Sequence, residues 1–105
     1  MVITSNSQRL TEIVKNQVYD LRYGVIKKGA NTKVEINISD VEHLTVKKSC
    51  GCTAPSIEIT PTGIKLTIVY DSNKVGTINQ NVTETVLLQD GTQQAIIFNL
   101  KGQIV

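Results

Sequence analysis

In Lys33-Val34-Glu35-Ile36-Asn37-Ile38-Ser39, apolar and polar side chains alternate without a break. Val34, Ile36 and Ile38 fall on one side of an extended chain; Lys33, Glu35, Asn37 and Ser39 fall on the other. Strict alternation of this kind marks a strand that is buried on one face only. Moving downstream, Asp40-Val41-Glu42 reads as a turn into a second strand with Leu44 and Val46 inward. Ile57 and Ile59 make a third strand, stopped at Pro61-Thr62-Gly63, and Ile64, Leu66 and Ile68 a fourth, closed by Asp71-Ser72-Asn73. Between Gly76 and Gln89 the residues Ile78, Val82, Val86 and Leu88 share a parity that Gln80 and Glu84 interrupt. A bulge or kink is expected to absorb those two polar residues. Asp90-Gly91 is a strong hairpin signal, because both residue types tolerate positive φ. The last strand carries Ile96, Phe98, Leu100 and Ile104 on one parity. Upstream, Lys27-Lys28-Gly29-Ala30-Asn31 is a turn, and Thr11–Tyr23 reads as one extended segment. Residues 1–10 are polar and weakly patterned, and are expected to form a flexible N-terminal arm that docks on a partner.

Composition agrees with this pattern. Val, Ile and Thr together supply 37 of the 105 residues, against 3 Ala and 7 Leu. Side chains branched at Cβ are stiff at χ1 and suit pleated strands. No helical periodicity of useful length separates the strands, so a parallel α/β sheet is not expected. Six or seven short strands with regular turn signals describe one antiparallel β-sandwich spanning residues 11–105. Val34, Ile36, Ile38, Leu66, Ile68, Phe98 and Leu100 are expected in its core.

Four stretches occur in order that together resemble a known family. They are Tyr23-Gly24-Val25-Ile26-Lys27-Lys28-Gly29, Ser49-Cys50-Gly51-Cys52-Thr53-Ala54-Pro55, Leu66-Thr67-Ile68-Val69-Tyr70-Asp71 with Gly76, and Leu100-Lys101-Gly102-Gln103-Ile104-Val105. The chain resembles, over roughly residues 20–105, the bacterial domain-of-unknown-function family marked by a Ser-Cys-Gly-Cys-Thr loop, related to Hydin-like immunoglobulin folds. The resemblance implies an immunoglobulin-like sandwich of about seven strands and no established enzymatic activity. Members of that family are commonly exported, behind a leader or a lipid-anchor site.

The chemistry-bearing residues are few. Cys50 and Cys52 admit a metal, a redox or a disulfide reading, beside a structural one. Zinc wants about four ligands, and His43 is the only other soft donor. Redox motifs normally space their cysteines by two residues at a helix start, where the dipole lowers the thiol pKa. A disulfide across Gly51 demands a sharp turn between Cα atoms only two residues apart. The expectation carried forward is structural: Gly51 makes a tight loop and the thiols pack as small apolar groups. His43 is expected on a strand surface. No nucleophile elbow and no glycine-rich phosphate loop is present, so neither catalytic, cofactor-binding nor metal-ligating residues are assigned.

Net charge is +2, with +3 on residues 1–52 and −1 on the remainder. That balance argues against nucleic acid as a partner, since dedicated binders cluster their basic residues. Lys27-Lys28 and Lys47-Lys48 read as solvated positions, or as a face for an acidic partner. No apolar run reaches membrane-spanning length, and none resembles a secretory leader, so the chain is expected to stay where it is translated. The functional expectation is a non-enzymatic interaction domain: an auxiliary decoration protein of a bacteriophage virion. It would be made in the host cytoplasm and docked in many copies on a capsid or tail lattice, with no membrane or small-molecule substrate as partner. A periplasmic or cell-surface binding module, or a cytoplasmic scaffold domain, is the alternative. Loops on a rigid scaffold commonly carry recognition. The contact loop is therefore sought at Ser49, Cys50, Gly51, Cys52, Thr53 and Pro55, and at the turn Asp71–Val75.

Overall fold

The alternating stretch forms β4 (Val34–Ser39) in a computed structural model that describes residues 1–105. Val34, Ile36 and Ile38 are all but inaccessible, and their polar neighbours face out. The other strands are β1 (Val2–Thr4), β2 (Leu10–Val14), β3 (Val18–Ile26), β5 (Glu42–Lys48), β6 (Thr53–Thr60), β7 (Gly63–Tyr70), β8 (Gly76–Leu87) and β9 (Gln93–Ile104). They form two sheets, ordered β1-β4-β7-β6 and β2-β3-β9-β8-β5. The inner faces meet in a core of 16 buried apolar residues, which includes all seven expected there. Tyr19 and Phe98 stack within it, ring centroids 5.5 Å apart. Strands β3 to β9 make an immunoglobulin-like sandwich of seven; β1 and β2 are N-terminal additions, so the count is nine.

Four features depart from the sequence reading. Thr11–Tyr23 is a hairpin: Asn16 takes φ 58° and the Gln17 N–H donates to the Val14 carbonyl, turning β2 into β3. Asn is among the few residues that tolerate this left-handed backbone, so the turn forms without glycine. The N-terminal residues are laid down rather than free. β1 pairs with β4, Ile3 packs on the core, and the Arg9 guanidinium sits 4.8 Å from the Tyr23 ring centroid. The pairing of β3 with β9 is parallel, within otherwise antiparallel sheets. And β8 pairs with β9 without a register shift from Gly76 to Leu87, so Glu84 stays on the inner face instead of being displaced by a kink.

Turn chemistry sets the strand ends. Gly91 takes φ 87° in the β8–β9 turn, as the Asp-Gly pair predicts. At Gly63, after Pro61-Thr62, a Cβ would lie on the Ile38 carbonyl oxygen, so only glycine lets β7 approach β4 this closely. The molecule is a rod of 45 × 23 × 23 Å. One end, the hairpin end, gathers the turns at 15–17, 40–42, 61–62 and 88–92; Asp40 N–H to Thr62 O and Gln94 Nε2–H to Asn16 O are among the bonds that join them.

Candidate functional site

The opposite end collects the cysteine loop and three other segments distant in sequence. Asp71 N–H donates to the Cys52 carbonyl (2.8 Å), which ties the two loops predicted as contact tips to each other. Gly29 N–H donates to Ser72 O, Ser72 Oγ–H to Ala30 O (2.7 Å), and Lys28 N–H to Val105 O. Beneath them Thr32, buried, donates through Oγ1 to Tyr70 O and accepts from Tyr70 N–H and, at its carbonyl, from the Tyr23 hydroxyl. Desolvation raises the Tyr23 phenol to about 12, so it remains a donor across the physiological range.

This bonded platform concentrates charge and apolar surface. Lys27, Lys28 and Lys74 are exposed at this end of the rod, and the exposed Lys47-Lys48 pair leads into the loop from midway along β8, opposite Thr83 and Val82. Val25, Val75 and Val105 are 71%, 67% and 53% exposed, which is unusual for valine in a β-protein. Asp71 is the acidic residue among them, its carboxylate engaged by the Asn73 N–H. Of the two lysine pairs visible in the sequence, the sheet register puts Lys27-Lys28 at this end and Lys47-Lys48 midway along the rod.

Within the loop every predicted residue has a defined place. Ser49 is exposed; its Oγ–H donates to Gln80 Oε1 (2.6 Å) and its oxygen accepts from Asn81 N–H (2.8 Å). Thr53 is buried at the start of β6, its hydroxyl donating to Cys50 O. Pro55 sits in β6, an edge strand, where a missing N–H costs no ladder bond on the open side. Cys50 and Cys52 are joined in a disulfide and are not the packed thiols expected. The turn at Gly51 sets their Cα atoms 5.3 Å apart, inside the usual disulfide range. Bonded sulfurs offer no thiolate to a metal. Loop-closure entropy for so short a ring stabilises the fold by about 1.5 kcal/mol, roughly half the value for a ~15-residue loop. Beside the disulfide opens a cleft of about 330 Å³, lined by Gly51, Cys52, Lys74 and Val75 among others.

A second constellation went unpredicted. Leu44 is the extra residue of a β-bulge in β5, between His43 (opposite Val86) and Thr45 (opposite Thr85). The bulge puts Leu44 in solvent, 40% exposed, and turns His43 inward in its place. His43 Nδ1 lies 2.7 Å from Oε1 of Glu84, a fully buried carboxyl whose Oε2 has no partner. Burial pushes the Glu84 carboxyl above its ordinary range, with His43 pulling partly the other way. The available signal was Glu84 on the apolar parity of β8: an acid there needs a partner, and the chain has one histidine.

On the outer face of the larger sheet, Asp20 is held below the usual carboxylate range by Arg22 (3.1 Å) and Lys101 (3.4 Å). This pair of exposed cations over one buried acid braces β3 against β9. Comparison with models of known families, with curated proteins and with solved structures found no match.

Proposed function

We propose that the chain is a non-enzymatic interaction domain, an auxiliary protein of a bacteriophage virion that docks its lysine-rich end onto an acidic, repeating capsid or tail lattice. The observation that carries this reading is the gathering of three exposed lysines (Lys27, Lys28 and Lys74) and three exposed valines on one end of the rod, from segments far apart in sequence. Exposed apolar side chains beside charged ones are a usual make-up of a protein interface: the apolar part gives affinity and the charge gives orientation and rate. The end of a rod 23 Å across is small for a stable pairwise complex. Many copies on a repeating lattice overcome that through avidity. The resemblance to a bacterial family agrees with a phage of bacteria as the source.

The test is sedimentation of the full chain with particles assembled from the products of its neighbouring genes. Co-sedimentation is expected, with release as ionic strength rises from about 0.05 to about 0.5 M. The Val75→Asp, Val105→Asp double variant should lose at least ~10-fold in occupancy while its melting temperature moves by no more than about 2 °C. Absence of binding to any such particle overturns the reading. The Cys50–Cys52 disulfide favours one alternative, a periplasmic or cell-surface binding module, since disulfides persist in oxidising compartments. Recovery of the chain in a periplasmic fraction, with no particle bound, would establish that alternative.

A further inference from the structure

We propose that Cys50–Cys52 is a thiol–disulfide exchange site that takes low-molecular-weight thiols bearing a carboxylate, with Cys52 as the sulfur attacked and Cys50 as the sulfur released. The proposal does not depend on the docking reading, although the cleft shares Lys74 and Val75 with the docking end.

The anchoring of the loop is the first ground. Ser49 is held to β8 by bonds through its N–H and its hydroxyl, Thr53 to the Cys50 carbonyl, and the Cys52 carbonyl to Asp71 N–H. None of these bonds uses the S–S bond, so opening it leaves both ends of the loop tied to the sheets. A disulfide that closes only a three-residue ring on an anchored loop is free to cycle without unfolding the domain.

Asymmetry between the two sulfurs is the second ground. Cys52 lines the open cleft and Cys50 does not. The Cys52 backbone N–H donates to Cys50 Sγ at 3.2 Å. A donor aimed at sulfur favours the thiolate, and a thiol that is a better thiolate is the better leaving group. Lys48 Nζ, 3.3 Å from the Thr53 carbonyl, adds positive charge close to the loop. The cleft itself offers Lys74 for a carboxylate and Asp71 for an amine.

The exchange balances as follows. A thiolate RS⁻ attacks Cys52 Sγ; the new bond is R–S–S–Cys52 and the Cys50–Cys52 bond breaks, its electron pair leaving on Cys50 as a thiolate. A second RS⁻ attacks the R sulfur of the mixed disulfide, forming RSSR and releasing the Cys52 thiolate. Both thiolates take up the protons that the two RSH lost. Two thiols are oxidised and one protein disulfide is reduced; an excess of RSSR drives the reverse.

The oxidised full chain is mixed with about 10 mM reduced glutathione, quenched with iodoacetamide and mapped by mass spectrometry. Expected are chains carrying glutathione on Cys52 and carbamidomethyl on Cys50, and an unchanged far-ultraviolet circular dichroism spectrum after full reduction. The single variants give a second reading that does not need the intermediate to accumulate. The pH dependence of iodoacetamide alkylation should show the Cys50 thiol of Cys52→Ser ionising at lower pH than the Cys52 thiol of Cys50→Ser, as the better leaving group must. Lys74→Gln should slow the glutathione reaction about 3-fold and leave that of uncharged 2-mercaptoethanol unchanged. Resistance of the disulfide to glutathione overturns the proposal. So does glutathione found on Cys50, a Cys50 thiol that ionises at no lower pH than Cys52 in the two single variants, or loss of the sandwich on reduction.

Discussion

Glu84 has no exposed side-chain surface and one oxygen without a partner, so its charge depends on His43 alone. The folded carboxyl titrates above the ordinary 4.5 because burial outweighs the imidazole's help. Between those two values the folded chain holds a proton that the unfolded chain has released. The contribution is therefore complete below the ordinary carboxylate value, and stability falls as pH rises through the window, by up to about 1.4 kcal/mol per pH unit. Glu84→Gln keeps the shape and removes the titration. Urea melts between about pH 4 and pH 7 should show the variant gaining on the parent as pH rises; a constant difference would refute the assignment. His43→Ala strands the carboxyl, and at neutral pH should cost about 2–3 kcal/mol, less than a fully buried pair because water reaches the imidazole. In the Glu84→Gln background most of that cost should vanish. At this scale the sequence was partly legible. Val34, Ile36 and Ile38 announced their burial by period, whereas His43 is inward only because a one-residue bulge reverses the parity of β5. No local residue type marks a bulge built on Leu44.

β4 and β1 share a sheet but not an energetic role. β4 is central, between β1 and β7, and its Ile36 is completely buried. Ile36→Ala should cost about 3–4 kcal/mol, the usual loss for emptying a packed position. β1 is a three-residue edge strand whose Ile3 is half-buried. Removing residues 1–4 should cost only about 1–2 kcal/mol and leave a cooperative transition. A urea titration of both variants against the parent measures the contrast, and near-equal losses would refute it. The strands from β4 to β9 were legible because alternation and Gly, Pro and Asp turn signals are local properties. The β2–β3 hairpin was not, since its turn, Lys15-Asn16-Gln17, contains neither glycine nor proline. β1 escaped notice for another reason: a polar terminal segment becomes a strand only when a sheet edge is there to receive it.

Across the whole molecule, sheet order performs what sequence inspection cannot, bringing residues 25–31, 50–53, 71–76 and 105 to one end. The cysteine loop was legible as a place of interest, and its oxidation state was not, because whether two sulfurs meet depends on how the flanking strands hold the turn. The one parallel pairing, β3 with β9, has a consequence of another kind. Parallel partners begin at the same end of the rod, so tension applied at the start of β3 and at the end of β9 pulls the two strands past each other lengthwise. The ladder from Val18–Ile97 to Ile26–Ile104, stepped once between Arg22 and Gly24, then shares the load along its length and does not open one bond after another. A domain gripped by its hairpin end and tugged through its C-terminus would resist rupture like a glued lap joint, while the antiparallel β8–β9 hairpin beside it, pulled apart at its open ends, would peel.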